Sequence, residues 1–330
     1  MSSTHTCLIV GRFCFSPDLH LNTDDGLAYS LVFLLGLLIN SAALWAFIAK
    51  RASWTDCHIY MLNLVVADFA LIIFLPFRIY DAFFCLPKTF LCTFLHFTHY
   101  INMYASILTT TAISAHRYLT IRFPLQARSW RKKKVAAVVV CLLIWVILVS
   151  VVVVVRKQNY PDKLWTCYER CKDARFRPQF TIALLCLGYL APLMIIVFCS
   201  SRTICILVKE QNKSKDKKRI VEIVKANLIV FLVCYTLYHF AFVISLFYKV
   251  PSNWMYVYLP SHRFLQVSEW IASTNCVLDS ISFYFLLKKK NPFEQKETSS
   301  RYRLIVSGHL LQKKADIQRQ TLNQLHQWND

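Results

Sequence analysis

The chain has 330 residues, of which 56% are hydrophobic, 15% aromatic and only 17% charged, so it is too apolar for an ordinary soluble protein of two or three domains. Its formal charge of +20 reads as charge held against acidic lipid at a membrane surface, not as a nucleic-acid footprint. Zinc-type cysteine spacing, a glycine-rich phosphate loop, a nucleophile elbow and internal repeats are all missing, and no enzyme chemistry is visible.

A helix rises 1.5 Å per residue and needs about 20 residues to cross the hydrocarbon. The opening MSSTHTCLIVGRF holds only the short apolar patch CLIV, too little for a signal-peptide core. The first span is therefore expected to act as the targeting signal. Spans are predicted at 26–49, 59–80, 91–118, 135–155, 180–207, 220–248 and 264–287. The fourth, VAAVVVCLLIWVILVSVVVVV, carries no charge at all. In the third, His99, Asn102, Ser106, Thr109, Ile113 and Arg117 recur at steps of three and four. Such a largely polar row lies on one helical face and must look into a bundle.

Seven spans put the two ends on opposite sides, and 26 of the 38 Lys and Arg lie on one of them. That side is expected to be cytoplasmic, with the N-terminus outside, in a multi-pass protein of the plasma membrane. The fold class is thus an all-α membrane protein. Its expected parts are an extracellular N-terminus (1–25), a seven-helix bundle (26–287) and a cytoplasmic tail (288–330). The tail should open with a short amphipathic helix on the membrane, with Phe293 buried. Six of the thirteen cysteines, Cys7, Cys14, Cys85, Cys92, Cys167 and Cys171, fall in segments expected outside, where oxidation is allowed. Fifteen pairings are open to six cysteines. No cysteine follows Cys276, so no palmitoyl anchor is expected behind the last helix. The one glycosylation sequon, at Asn212, is expected inside the cell and unmodified.

Residues along every span resemble the rhodopsin-like (class A) G-protein-coupled receptors. They are GLLINS with Asn40, NLVVADFALIIFLPF with Asp68 and Pro76, Cys92, and HRY followed by FPL. Trp145, Pro192, VFLVCY with Phe231 and Tyr235, and NCVLDSISF continue the match. Within that class YMLNLVVAD, APLMIIVFCS, KANLIVFLVCY and NCVLDSISFYF are most similar to the purinergic-like branch. There the resemblance is nearest to the orphan lysophosphatidylinositol- and kynurenic-acid-type receptors.

The resemblance implies a receptor that acts through a heterotrimeric G protein. It assigns the activation switch to His116, Arg117, Phe231, Tyr235, Asp279 and Phe283. In the family the arginine matching Arg117 usually pairs with an acid, where this chain has His116. A mostly neutral histidine cannot supply that attraction, so raised ligand-independent signalling is expected. Leu237 stands where the family has the kinking proline of the sixth helix. Phe283 and Ser200 stand where it has two tyrosines that bridge in the active form. Loss of the two phenol hydroxyls is expected to weaken the active state, opposing the effect of His116, and a non-signalling decoy or scavenger is the rival reading.

The resemblance also places a sodium site at Asp68, Asn102, Ser106 and Asp279, near Asn40 and Asn275; a hydrated hydrogen-bond network is the alternative. It pairs Cys92 with Cys167 and leaves Cys171 undecided among Cys7, Cys14 and Cys85. Ligand contacts are expected from Arg78, His99, Tyr100, Met103, Tyr104, Tyr168, Arg170, His239 and Glu269. The loop 156–177 holds seven basic residues against three acidic ones, and guanidinium forks suit phosphate and carboxylate. An anionic lysophospholipid or a small acidic metabolite is therefore the expected ligand. A structural salt bridge between Arg78 and Glu269 is the competing reading. Basic groups at 132–134, 213–219 and 288–290 are expected to rest on anionic lipid beside the G protein, and the sparse tail hydroxyls to serve arrestin. The last span holds no lysine for a retinal link, and no broken-helix repeat suggests a transporter.

Overall fold

The computed structural model describes residues 19–49, 56–84, 86, 89–123, 134–156, 167–168, 178–209, 215–247 and 260–287. The chain divides into two compact units, Met1–Tyr284 and Phe285–Asp330, and the contacts below lie within the first. Regular structure among the described residues is entirely helical. The first four helices are α1 (Leu19–Ala49), α2 (Asp56–Phe84), α3 (Phe90–Arg122) and α4 (Lys134–Arg156). Helix α5 runs through Pro178–Leu185, a π-helical segment Cys186–Leu190, and Ala191–Lys209. Helix α6 does the same through Lys215–Phe231, the π-helical Leu232–Thr236, and Leu237–Phe247. Helix α7 consists of Pro260–Ser273 and Asn275–Leu287, joined at Thr274.

Every predicted span lies on one of these helices; each helix starts ahead of its span, and α2, α3, α4 and α5 also run past its end. α1, for example, takes in Asp24 and Asp25 ahead of residue 26. Hydropathy stops at the first charges, whereas the backbone ladder continues through them into the interface. α6 alone stops one residue short, at Phe247. Among the described residues five stretches qualify as spans by length and hydropathy alone. α3 and α7 do not. α3 is diluted by its polar row, and α7 is split into pieces of 14 and 13 residues and carries Arg263, Glu269 and Asp279.

α3 can be polar because other helices surround it. It packs against α2, α4 and α5; α6 leans on α5 and α7, and α1 closes the ring against α2 and α7. The row His99, Asn102, Ser106, Thr109 and Ile113 is buried throughout. Apolar side chains such as Leu38, Trp45, Leu187 and Met194 point outward instead. Lipid tails are as apolar as leucine, so burial there is not driven by water, and polar side chains satisfy one another inside. Asn63 shows this: it donates to Thr109 Oγ1 (2.9 Å) and accepts from Trp145 Nε1 (2.8 Å), tying α2, α3 and α4 together.

Local chemistry sets the helix ends and breaks. Thr89 caps α3 by accepting from the Cys92 amide. Pro178 and Pro260 open α5 and α7 at a position where no amide is needed. The π segment of α5 comes just before Pro192, which has no N–H to return to the preceding turn. At Gly188 within it, an added Cβ would sit 2.9 Å from the Tyr104 ring, so a hydrogen is what lets α5 approach α3. The π segment of α6 ends just before Leu237. The irregularity expected from a proline thus survives its replacement by leucine. In α7 the hydroxyls of Ser273 and Thr274 bond back to Glu269 O and Ile271 O, competing with the ladder at the joint.

Candidate functional site

The disulfide Cys92–Cys167, with Cα atoms 5.2 Å apart, holds residues 167–168 at the start of α3. Asp81, buried near the end of α2, adds three more ties. Its carboxylate accepts from the amides of Leu86 (2.7 Å), Cys167 (3.3 Å) and Tyr168 (3.1 Å). Sequence reasoning passed over Asp81; an acid within a turn of the helix end, beside loop amides, was the available signal. The loop thereby seats the Tyr168 ring 5.2 Å from the Arg78 guanidinium carbon. Burial pushes the Tyr168 phenol well above its ordinary pKa, so it remains neutral.

Arg78 is the centre of this end of the bundle. Its Nη2 donates to Glu269 Oε2 at 2.7 Å, with the two side chains only 12% and 13% exposed. The guanidinium also lies 4.2 Å over the ring of Tyr29, another residue that sequence reasoning did not single out. Tyr100 donates to the other Glu269 oxygen at 3.5 Å. The structural salt bridge weighed against a ligand role is therefore present. It uses one edge of the fork: among the described residues, the hydrogen bond to Glu269 is the only one Arg78 makes. His99 packs edge-on against Tyr100, and its Nδ1 is buried with no hydrogen-bond partner among the described residues.

Two expected contact residues form a separate, deeper group. His239 Nδ1 lies 2.7 Å from the Tyr235 carbonyl. A carbonyl only accepts, so Nδ1 carries the proton and Nε2 accepts from the Tyr104 hydroxyl at 3.5 Å. Tyr189 stacks on His239 with ring centroids 4.1 Å apart, and its hydroxyl donates to Thr236 Oγ1 at 2.7 Å. Met103 packs in the apolar cluster with Tyr104, Tyr189 and Phe231. Arg170, Cys7, Cys14, Cys85 and Cys171 lie outside the described residues, as do Phe293, the tail and the basic groups 132–133 and 288–290.

Below this, buried polar side chains surround Asp68. Asn102 donates to the Ala67 carbonyl, and both Asp68 oxygens are buried without a hydrogen bond among the described residues. Asn275 donates to Asp279 Oδ2 (2.7 Å) and Ser106 Oγ (3.3 Å). Ser280 donates to Asn40 Oδ1 at 2.6 Å, and Asn40 donates to the Cys276 carbonyl at 3.1 Å. Among the described residues no group of three or more His, Cys, Asp or Glu is assembled. The side chains named here offer carboxylate, amide and hydroxyl oxygens, with the Cys276 and Cys234 thiols nearby.

At the opposite end of α3, Arg117 Nη2 is buried and has no hydrogen-bond partner among the described residues. His116 packs against the Tyr60 ring, 5.7 Å between centroids. Tyr235 meets Phe231 edge-on at 5.2 Å. The backbone of Phe283 lies in α7, but its side chain lies outside the described residues.

Residues 39–281 match the 7 transmembrane receptor (rhodopsin family). The chain is 32% identical over 276 residues to "G-protein coupled receptor 35" of Mus musculus, covering 82% of this chain and 87% of that protein. It is 27% identical over 306 residues to "Lysophosphatidic acid receptor 6" of Gallus gallus, covering 88% and 98%. It is 31% identical over 278 residues to a purinoceptor of Homo sapiens, covering 78% and 72%. With seven helices among the described residues, a polar α3 buried between its neighbours, a disulfide at one end and an arginine at the other, this chain belongs to the rhodopsin family of seven-transmembrane, G-protein-coupled receptors.

Proposed function

We propose that the protein is a plasma-membrane receptor, N-terminus outside, that binds an anionic lysophospholipid or small acidic metabolite and signals through a heterotrimeric G protein. The observation that carries this reading is Arg78: a nearly buried guanidinium, roofed by Tyr168, with one hydrogen bond to Glu269 and the rest of its fork unused among the described residues. An anion that displaces or joins Glu269 finds those donors already oriented, and bidentate recognition is what an arginine fork does well. The similarity to a lysophosphatidic acid receptor is in keeping with an anionic lipid.

The same reading gives Asp68, Asn102, Ser106 and Asp279 to a sodium ion. Two buried carboxylate oxygens without donors call for a counter-charge, and amide and hydroxyl oxygens beside them complete a hard-ligand set. Arg117 and His116 set the resting tone: without an acid beside it, Arg117 gains nothing from the resting arrangement. Arrestin is a further partner of the tail.

The test is G-protein dissociation in cells on addition of lysophosphatidic acid or succinate, comparing wild type, Arg78→Ala and Glu269→Gln at matched surface expression. An anion site at Arg78 predicts that Arg78→Ala loses the response while Glu269→Gln, which frees the fork, responds at lower concentration. Equal loss in both variants would make the pair structural. A wild type that reaches the surface and stays inert to every acid and to loss of His116 is the result a scavenger gives.

A further inference from the structure

Between α1, α2 and α7, at the disulfide end, the charges of the described residues do not balance. Three carboxylates and two guanidinium groups act on one another there: Asp24, Asp25 and Glu269 with Arg78 and Arg263. Glu269 holds Arg78 at 2.7 Å, and Asp24 holds Arg263 at 2.7 Å. Asp25 is left over, and among the described residues it forms no ion pair. Its Oδ1 is buried without a hydrogen-bond partner among the described residues. One helical turn further on, Tyr29 is 1% exposed and its hydroxyl has no partner among the described residues either. A buried donor on α7 completes the set: Arg263 Nη1 has no hydrogen-bond partner among the described residues, with its guanidinium 4.7 Å over the Trp270 ring, while the Trp270 indole is turned to Asp25.

The unused atoms sort into two kinds. Asp25 Oδ1 is an acceptor and the Tyr29 hydroxyl can accept as well as donate, whereas Arg263 Nη1 and the free edge of Arg78 are donors only. A bare anion would satisfy the donors and crowd Asp25 and Glu269 with further negative charge. A bare cation would satisfy Asp25 and leave the donors unmet. A molecule with an ammonium a few bonds from a phosphate or carboxylate serves both and enters with no net charge.

We propose that this region between α1, α2 and α7 is a subsite for the zwitterionic head of the ligand, with Asp25 and the Tyr29 hydroxyl taking the ammonium while the anionic group reaches Arg78 and Arg263. It rests on the assignment of Arg78 to an anionic ligand and narrows that ligand to one that also carries an amine. Asp25 is the specificity element: it separates amine-bearing ligands from those with the anion alone.

The experiment follows thermal unfolding of the purified full chain in lipid nanodiscs with three probes. Lysophosphatidic acid and lysophosphatidylethanolamine of the same acyl chain differ by the amine, and ethylammonium chloride, set against sodium chloride at equal ionic strength, supplies the amine alone. In the wild type, lysophosphatidylethanolamine is expected to act at roughly tenfold lower concentration than lysophosphatidic acid, about one well-made polar contact. Ethylammonium is expected to raise the midpoint. Asp25→Asn should erase both effects and keep the response to lysophosphatidic acid; Tyr29→Phe should weaken both, which guards against an Asp25→Asn chain that fails to fold. If lysophosphatidic acid protects and the amine adds nothing, or if ethylammonium protects Asp25→Asn as well as wild type, the amine subsite is wrong while the anion site stands. If ethylammonium protects only the wild type and neither lysolipid does, the subsite stands and the anionic-lipid reading falls.

Discussion

Replacing His116 by Asp restores a carboxylate next to Arg117, whose Nη2 is buried with no hydrogen-bond partner among the described residues. Both residues are half-buried, so the new pair is neither a fully screened surface bridge nor a desiccated one. A charge-assisted hydrogen bond in such a place is worth about 1.5–3 kcal/mol, and each 1.4 kcal/mol is about a factor of ten in an equilibrium. If the pair forms only while Arg117 is held inward, the population of the signalling conformation should fall at least about tenfold. The readout is ligand-free G-protein dissociation in cells across all Gα classes. His116 also packs on Tyr60 at 5.7 Å, so His116→Asn serves as a control that loses the ring without adding charge. Basal activity that drops in the Asp variant, stays near wild type in the Asn variant and vanishes in Arg117→Ala supports the argument. Unchanged or raised activity in His116→Asp would refute it.

Sodium chloride, titrated against choline chloride, should raise the unfolding midpoint of the wild type, and Asp68→Asn should abolish that dependence; an Asp68→Asn chain that still responds places the ion elsewhere. Asp81→Ala removes the acceptor for three backbone amides at 2.7–3.3 Å. It should cost at least about 2 kcal/mol by thermal unfolding, and also weaken ligand binding by releasing the loop beside Arg78. Tyr189→Phe and Thr236→Val each break the same α5–α6 hydrogen bond, so each should lower stability by about 1 kcal/mol and the pair should cost little more than one alone. Full additivity in that double-mutant cycle would show that the bond contributes nothing.

Much of the bundle was legible because a membrane span announces itself by length and hydropathy, and the spans missed mainly their charged ends. The polar row of α3 was readable for the complementary reason: a face that avoids lipid has nowhere else to go. The pairing of Arg78 with Glu269 was foreseeable only as one of two alternatives. Which of them holds depends on how α2 and α7 rotate toward each other, and no local pattern encodes that. Asp81 and Asp25 escaped notice for a similar reason. An acid near the end of an apolar segment reads as the edge of the membrane, and its meaning changes only when three loop amides converge on it, or when two arginines nearby prove to be already taken. Tyr189 belongs to no motif of the fifth span, and only the fold sets it against His239 and Thr236.

The replacement of proline by Leu237 shows how sequence and fold divide the work in α6. Proline bends a helix by withholding an N–H and crowding the preceding turn. Leucine does neither, so nothing in the backbone chemistry at this position calls for a distortion. The structure instead puts the wide turn Leu232–Thr236 in the same place, and the surroundings supply a reason. The Tyr235 carbonyl lies within that turn and is engaged by the His239 ring. Thr236, at its end, is engaged by Tyr189, which itself comes from the wide turn of α5. Two helices with matching irregularities are joined at them by one hydroxyl bridge and one stacked ring pair. The wide turn of α6 thus coincides with contacts made by side chains, where a proline would fix it in the backbone.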